Sequence, residues 1–93
     1  MDEPMELYLG VDPGRDKTGA ALVWENGRIF KQEILPTDDF SRHLQQFLPK
    51  QPLAGCILGD GTTSKTMAAQ LEKDFPQLPL FTVNEYGLSL IHI

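Results

Sequence analysis

The chain has 93 residues and a net charge of −5, with 41% hydrophobic and 23% charged residues. This length fits one domain that buries only about 60 to 65% of its unfolded surface, and the composition excludes a disordered or low-complexity chain. The acidic balance argues against indiscriminate nucleic-acid binding, for which a basic face is typical. The acidic N-terminus precedes no long apolar stretch, so we expect a cytoplasmic protein without a signal peptide or a membrane span.

The first part of the sequence predicts a meander of three strands. Residues 5–12 and 18–25 are apolar runs of the kind found in buried strands. Asn26 and Gly27 follow, and this dipeptide favours a type I′ hairpin turn because it accepts positive φ at both central positions. Residues 28–35 mix apolar and charged side chains, which is typical of a half-exposed edge strand.

Two helix–strand units are predicted after the meander. Thr37 suits a helix N-cap, and apolar residues recur at helical spacing until Pro49 ends the helix. The run "LAGCILG" predicts a fourth strand buried on both faces, in which Cys56 is a buried small hydrophobe rather than a nucleophile. A second helix follows "GDGTTSK" and ends at "FPQLP", and "LPLFTVNE" predicts the fifth strand.

The predicted order of elements is therefore β-β-β-α-β-α-β. Right-handed helical crossovers place the fourth strand parallel to the first and the fifth beyond the fourth. The expected fold is an α/β fold with a mixed five-stranded sheet of order 3-2-1-4-5 and helices packed on it. In such a sheet the ligand crevice lies outside the carboxyl ends of the parallel strands, which here carry Asp12, Asp60 and Glu85.

These three acids predict a metal site. Adjacent strands lie about 4.8 Å apart, so Asp12 and Asp60 have the spacing to share one or two divalent ions, while Glu85 must reach across about twice that distance. Oxygen ligands without a Cys/His cluster favour Mg²⁺ or Mn²⁺ over zinc. The alternatives are that Asp12 only forms a tight turn with Pro13 and Gly14, and that Asp60 only caps a helix.

Basic residues near the same loops are candidates for contact with substrate phosphate. These are Arg15, Lys17 and Lys65. Their alternative interpretation is that they are solvated surface charges.

The motif "LYLGVDPGRDKTGAALVW", followed by "ILGDGTTSK" and "FTVNEYG", resembles the YqgF family of RuvC-like proteins with an RNase H-like fold. That family is described as Holliday junction resolvases or pre-16S rRNA processing nucleases. The resemblance implies a metal-dependent nuclease for structured RNA or branched DNA, with Asp12 and Glu85 as metal-binding catalytic residues. Asp60 stands where RuvC-type resolvases carry an acid. The resemblance covers residues 1–87, so residues 88–93 are expected to be a tail outside a C-terminally truncated domain.

Other functional classes remain open. A non-catalytic nucleic-acid or protein-binding module would keep the fold without the chemistry. The actin, heat-shock-protein and sugar-kinase nucleotide-binding fold also begins with a strand, Asp-x-Gly and a second strand. "GDGTTSKT" misses the P-loop pattern because Ser64 replaces its second glycine. An uncovered last strand would favour pairing with another copy, which predicts a possible homodimer.

Overall fold

A computed structural model describes residues 5–60 and 63–83 of the chain. The elements are β1 (Leu7–Asp12), β2 (Lys17–Trp24), β3 (Ile29–Pro36), α1 (Phe40–Phe47), β4 (Gly55–Gly59), α2 (Ser64–Asp74) and β5 (Leu80–Val83). The strands form one sheet in the order β3-β2-β1-β4-β5. This confirms the predicted fold class, element order and strand order. The predicted domain boundary at residue 87 and the tail lie outside the described residues.

The direction of the strands decides which loops meet. β1 pairs antiparallel with β2, and β2 pairs antiparallel with β3. β4 runs parallel to β1, with Val11 beside Leu58, and β5 runs parallel to β4. The carboxyl ends of β1, β4 and β5 therefore lie at one edge of the sheet, called the carboxyl edge below.

The hydrophobic core lies between one face of the sheet and both described helices. Sheet pairing places Leu9 beside Leu22 on one side and beside Cys56 on the other, so these three side chains share the face that α1 and α2 cover. The apolar side of each helix follows from helical spacing: Phe40, Leu44 and Phe47 in α1 and Met67 and Leu71 in α2 are buried. Truncating one such buried leucine to alanine typically costs about 2–5 kcal/mol.

The opposite face of the sheet is not covered by either described helix. Two of its central positions are small, Gly10 and the neighbouring Ala21, and Ile57 lies beside Gly10 on β4. At its margins Ile34 and Phe81 are 67% and 54% exposed. Among the described residues, the sheet is thus packed on one face only.

The turn between β2 and β3 differs from the predicted type I′ turn. Gly27 has φ 92°, whereas Asn26 does not have a positive φ. The Gly27 N–H donates to the Trp24 carbonyl at 2.8 Å, and the Arg28 N–H donates to Asn26 Oδ1 at 3.0 Å. One left-handed residue after such a turn is the pattern of a type I turn followed by a bulge, so the hairpin was predicted correctly and its turn type was not.

The first helix also begins later than predicted. α1 starts at Phe40, and its N-cap residue is Asp39, which has φ 59° and ψ 38°. Thr37 is therefore not the N-cap, and its hydroxyl serves the loop described below. Neither described helix has the length and hydropathy of a membrane-spanning segment.

Cys56 lies in the core, as predicted. Its side chain is fully buried and the thiol is free. Burial raises the pKa of this thiol to about 12, because the thiolate would lose its hydration. The thiol is therefore protonated and unreactive at neutral pH.

Candidate functional site

The strand order places a topological switch point between β1 and β4 at the carboxyl edge, and the space between the loops there is called the crevice below. The chain leaves the end of β1 towards β2 on one side, and it leaves the end of β4 towards β5 on the other. Neighbouring parallel strands whose connections diverge in this way leave a gap between their loops. Ligands of open α/β sheets bind at this topological switch point.

One wall of the crevice is the loop of residues 13–16, which joins β1 to β2. Gly14 is required there by close packing, because a Cβ atom at this position would lie 2.2 Å from the carbonyl oxygen of Lys17. No side chain fits at that distance without a shift of the backbone. The loop thus has a tight conformation that depends on glycine.

Two threonine hydroxyls hold this loop. Thr18 Oγ1 lies 2.7 Å from Thr37 Oγ1, and Thr37 donates to the Gly14 carbonyl oxygen at 2.8 Å. The Gly14 N–H in turn approaches Thr18 Oγ1 at 3.4 Å. The Thr37 N–H also donates to the Asp16 carbonyl at 2.9 Å, so the segment after β3 is bonded to the loop at two points.

Sequence reasoning missed both threonines. In the sequence, Thr18 falls within an apolar strand and Thr37 has the composition of a helix N-cap. The signal for Thr18 was its position on the core face of β2, where it pairs with Leu35. It is fully buried, and a buried hydroxyl needs a hydrogen-bond partner.

The other wall of the crevice is formed by the end of β4 and the start of α2. Asp60 directly follows β4 and is exposed, and Ser64 Oγ donates to Asp60 Oδ1 at 3.5 Å. Thr63 is the N-cap of α2 but forms no side-chain capping hydrogen bond. Because β4 ends at the carboxyl edge, the N-terminus of α2 starts there, where its dipole favours anions.

The structure brings two of the three predicted acids to the same edge. Asp12 is the last residue of β1, and Asp60 follows the adjacent parallel strand β4. Glu85 lies outside the described residues. Within the described ranges no group of three His, Cys, Asp or Glu side chains has the arrangement to hold a metal ion. The metal ligands therefore remain a prediction.

The three predicted cations also lie near this edge. Arg15 belongs to the loop, Lys17 begins β2 and Lys65 is in the first turn of α2, and all three side chains are exposed. In residues 5–60 and 63–83 the observed ion pair joins Arg42 to Asp39 and involves none of them. Their charges are available to an anion, but their role in binding is still a prediction.

Two open cavities of about 550 and 600 Å³ lie away from these residues. Both are lined by the segment before β4, and one of them also contacts the loop after α2. They are therefore near the amino ends of the parallel strands. Glu6 is the one ionisable residue in their linings, so these cavities do not form a second polar site.

No protein-family model matches this chain, and no curated protein resembles it in sequence. Solved structures do resemble it. A ROK family transcriptional regulator, homologous to the E. coli MLC protein, aligns over 85% of this chain with TM-score 0.65 and 11% identity. A ROK family protein from Streptococcus pneumoniae in complex with sucrose aligns over 85% with TM-score 0.61 and 19% identity. Pelota from Archaeoglobus fulgidus aligns over 84% with TM-score 0.62 and 12% identity.

The likeness is one of fold. The chain spans 28%, 34% and 26% of the lengths of these three proteins, so it corresponds to one part of each.

The resemblance to YqgF and RuvC-like nucleases is therefore wrong. The structural neighbours include two ROK family proteins, and neither a nuclease, a Holliday junction resolvase nor an rRNA-processing function is supported. The physical reason is that a strand, Asp-x-Gly and a second strand specify a hairpin that both fold groups share. The motif thus indicated the topology correctly and the family incorrectly. The predicted nucleic-acid partner and homodimer remain untested.

Proposed function

We propose that this chain is a nucleotide-binding lobe in which the crevice between β1 and β4 holds the phosphate chain of a magnesium-bound nucleotide. The observation that carries the proposal is the tight loop of residues 13–16 at the mouth of this crevice. Backbone N–H groups of tight loops bind phosphate directly, and Gly14 is the residue that allows this loop its tight conformation. The sugar-kinase type of the neighbouring folds supports the same assignment.

The basic side chains at the carboxyl edge fit the phosphate chain of a nucleotide. Arg15 and Lys17 lie on the loop side and Lys65 on the α2 side, so phosphate oxygens between the walls would meet positive charge from both. Each exposed contact of this kind contributes little alone, because water and salt screen it. Their shared position favours a polyanion over a single charged group.

The acids at the same edge fit magnesium as part of that nucleotide. Mg²⁺ prefers oxygen ligands and is commonly held by one or two carboxylates together with substrate phosphates and water. Asp12 and Asp60 supply the carboxylates in this proposal. The ion would neutralise phosphate charge and keep the carboxylates from repelling it.

The proposal is tested by isothermal titration of the full chain with MgATP, MgADP, AMP and adenosine. We expect the affinity to fall in that order, because the phosphate chain provides the contacts. Asp12→Asn should weaken MgATP at least about tenfold, which corresponds to about 1.4 kcal/mol. Equal affinities for MgATP and adenosine, or no binding of either, would exclude the proposal.

Asp74→Asn is the matched control. It makes the same change at an exposed aspartate, but Asp74 ends α2 and so lies at the opposite edge of the sheet. We expect its affinity for MgATP to equal that of the unchanged chain.

The cytosolic location predicted from sequence is part of this proposal, since the free buried thiol of Cys56 suits a reducing compartment.

A further inference from the structure

The hydrogen bonds around Gly14 form a closed ring whose donors can be assigned by counting. Each threonine hydroxyl has one proton to donate. Thr37 donates its proton to the Gly14 carbonyl at 2.8 Å, so Thr18 must be the donor in the 2.7 Å contact between the two hydroxyls. Thr18 Oγ1 is then left to accept from the Gly14 N–H at 3.4 Å. Both backbone polar groups of Gly14 are thus used inside the protein.

The peptide group between Gly14 and Arg15 has its carbonyl oxygen in this ring and its N–H outside it. In a trans peptide unit the C=O and the N–H point in opposite directions, so the Arg15 N–H points away from the Gly14 carbonyl oxygen. Thr37 follows β3 and contacts the loop from the β3 side of the sheet, whereas β4 lies on the other side of β1. Along the sheet, β4 and the crevice thus lie on the side of the loop away from Thr37. Among the described residues no acceptor takes the Arg15 N–H.

We infer that Thr37 is a positioning residue that fixes the Gly14–Arg15 peptide with its N–H towards the crevice, where it donates to a nucleotide phosphate. The inference rests on the proposed nucleotide site. Thr37 touches no ligand itself and acts through the carbonyl that it holds. Without its hydroxyl, the Gly14 carbonyl is free to rotate towards the anion and would repel it.

The test compares Thr37→Val, which keeps the shape and removes the hydroxyl, with Thr37→Ser, which keeps the hydroxyl. We expect Thr37→Val to raise the Kd for MgATP about five- to tenfold, the effect of one lost hydrogen bond, with the Kd for adenosine unchanged. Thr37→Ser should restore the MgATP affinity. Thr82→Val, at an exposed threonine of β5, is the control and should change neither Kd. If Thr37→Val does not fold by circular dichroism, Thr37→Ala replaces it because it adds no bulk.

A second readout does not depend on nucleotide binding. In ¹H–¹⁵N spectra of the ligand-free protein, we expect the Arg15 amide to shift in Thr37→Val and to keep its position in Thr37→Ser. If the unchanged chain binds MgATP and Thr37→Val binds it equally well, the positioning role is wrong while the proposed function stands. If the unchanged chain binds no nucleotide, the proposed function fails. If the Arg15 amide of the ligand-free protein does not shift in Thr37→Val, the positioning role is overturned as well.

Discussion

Gly14 and Gly19 lie within one hairpin but tolerate a side chain very differently. A Cβ at Gly14 would lie 2.2 Å from the backbone oxygen of Lys17, whereas a Cβ at Gly19 would make ordinary contacts of 3.7 Å with Asp12 and 3.8 Å with Ile34. The first glycine is needed by the loop and the second is not. The pair therefore separates the effect of disturbing the loop of residues 13–16 from the general effect of a glycine substitution.

We expect Gly14→Ala to lower the free energy of unfolding by about 1–3 kcal/mol, because the backbone must move. It should also weaken MgATP binding. Gly19→Ala should be neutral or slightly stabilising, since alanine costs less conformational entropy than glycine in a strand. Urea denaturation and calorimetric titration of both variants check this. Equal behaviour of the two variants would contradict the tight loop.

Cys56 makes the stability of the protein depend on pH in the alkaline range. The pKa of its thiol is 9.0 in the unfolded chain and about 12 in the folded protein. The unfolded state therefore loses its proton first, and the contribution of this group is constant below pH 9 and falls as the pH rises towards 12. We expect the difference in unfolding free energy between the unchanged chain and Cys56→Ala to shrink over this range. A difference independent of pH would show that the thiol is not desolvated.

At the scale of elements, the sequence predicts what depends on local pattern and fails where tertiary contacts decide. The five strands and two helices were predicted because each has apolar residues at its own period and a clear breaker at its end. The turn at Asn26 and Gly27 was predicted from the dipeptide alone, but only Gly27 has a positive φ. Thr37 has a good N-cap composition, yet its hydroxyl bonds the loop of residues 13–16, a partner that no local pattern reveals.

The hairpin provides a test of its observed turn. Gly27 has φ 92°, a conformation that costs other residues about 1–2 kcal/mol. We expect Gly27→Ala to lower the free energy of unfolding by that amount. Gly27→Asn should cost less, because asparagine adopts left-handed conformations more readily. Urea denaturation of both variants measures the difference, and an equal loss in the two would argue against a left-handed residue at this position.

At the scale of the whole molecule, the sheet carries its core on one face. Leu35 and Ile34 are neighbours on β3, but Leu35 is 7% exposed and packs into the core, while Ile34 is 67% exposed on the other face. The order of strands was predictable from the order of elements and the handedness of crossovers. The functional class was not predictable in this way. The opening Asp-x-Gly hairpin determines a topology that proteins of different chemistry share.

This asymmetry predicts different costs for the same substitution at adjacent positions. Leu35→Ala should lower the free energy of unfolding by about 2–5 kcal/mol, since it leaves a cavity in the core. Ile34→Ala should change it by only about 0.5 kcal/mol, as is usual for exposed positions. Thermal and urea denaturation check both values. A large cost for Ile34→Ala would mean that the second face is covered in solution.

The central claim is that the crevice between β1 and β4 binds the phosphates of a nucleotide, and chemical-shift mapping of the ¹⁵N-labelled chain tests it most directly. On titration with MgATP, we expect the largest amide shifts in residues 12–18 and at Asp60 and Lys65, and adenosine should leave these amides unchanged. Shifts confined to the amino ends of the parallel strands, or no shifts with MgATP, would contradict the account.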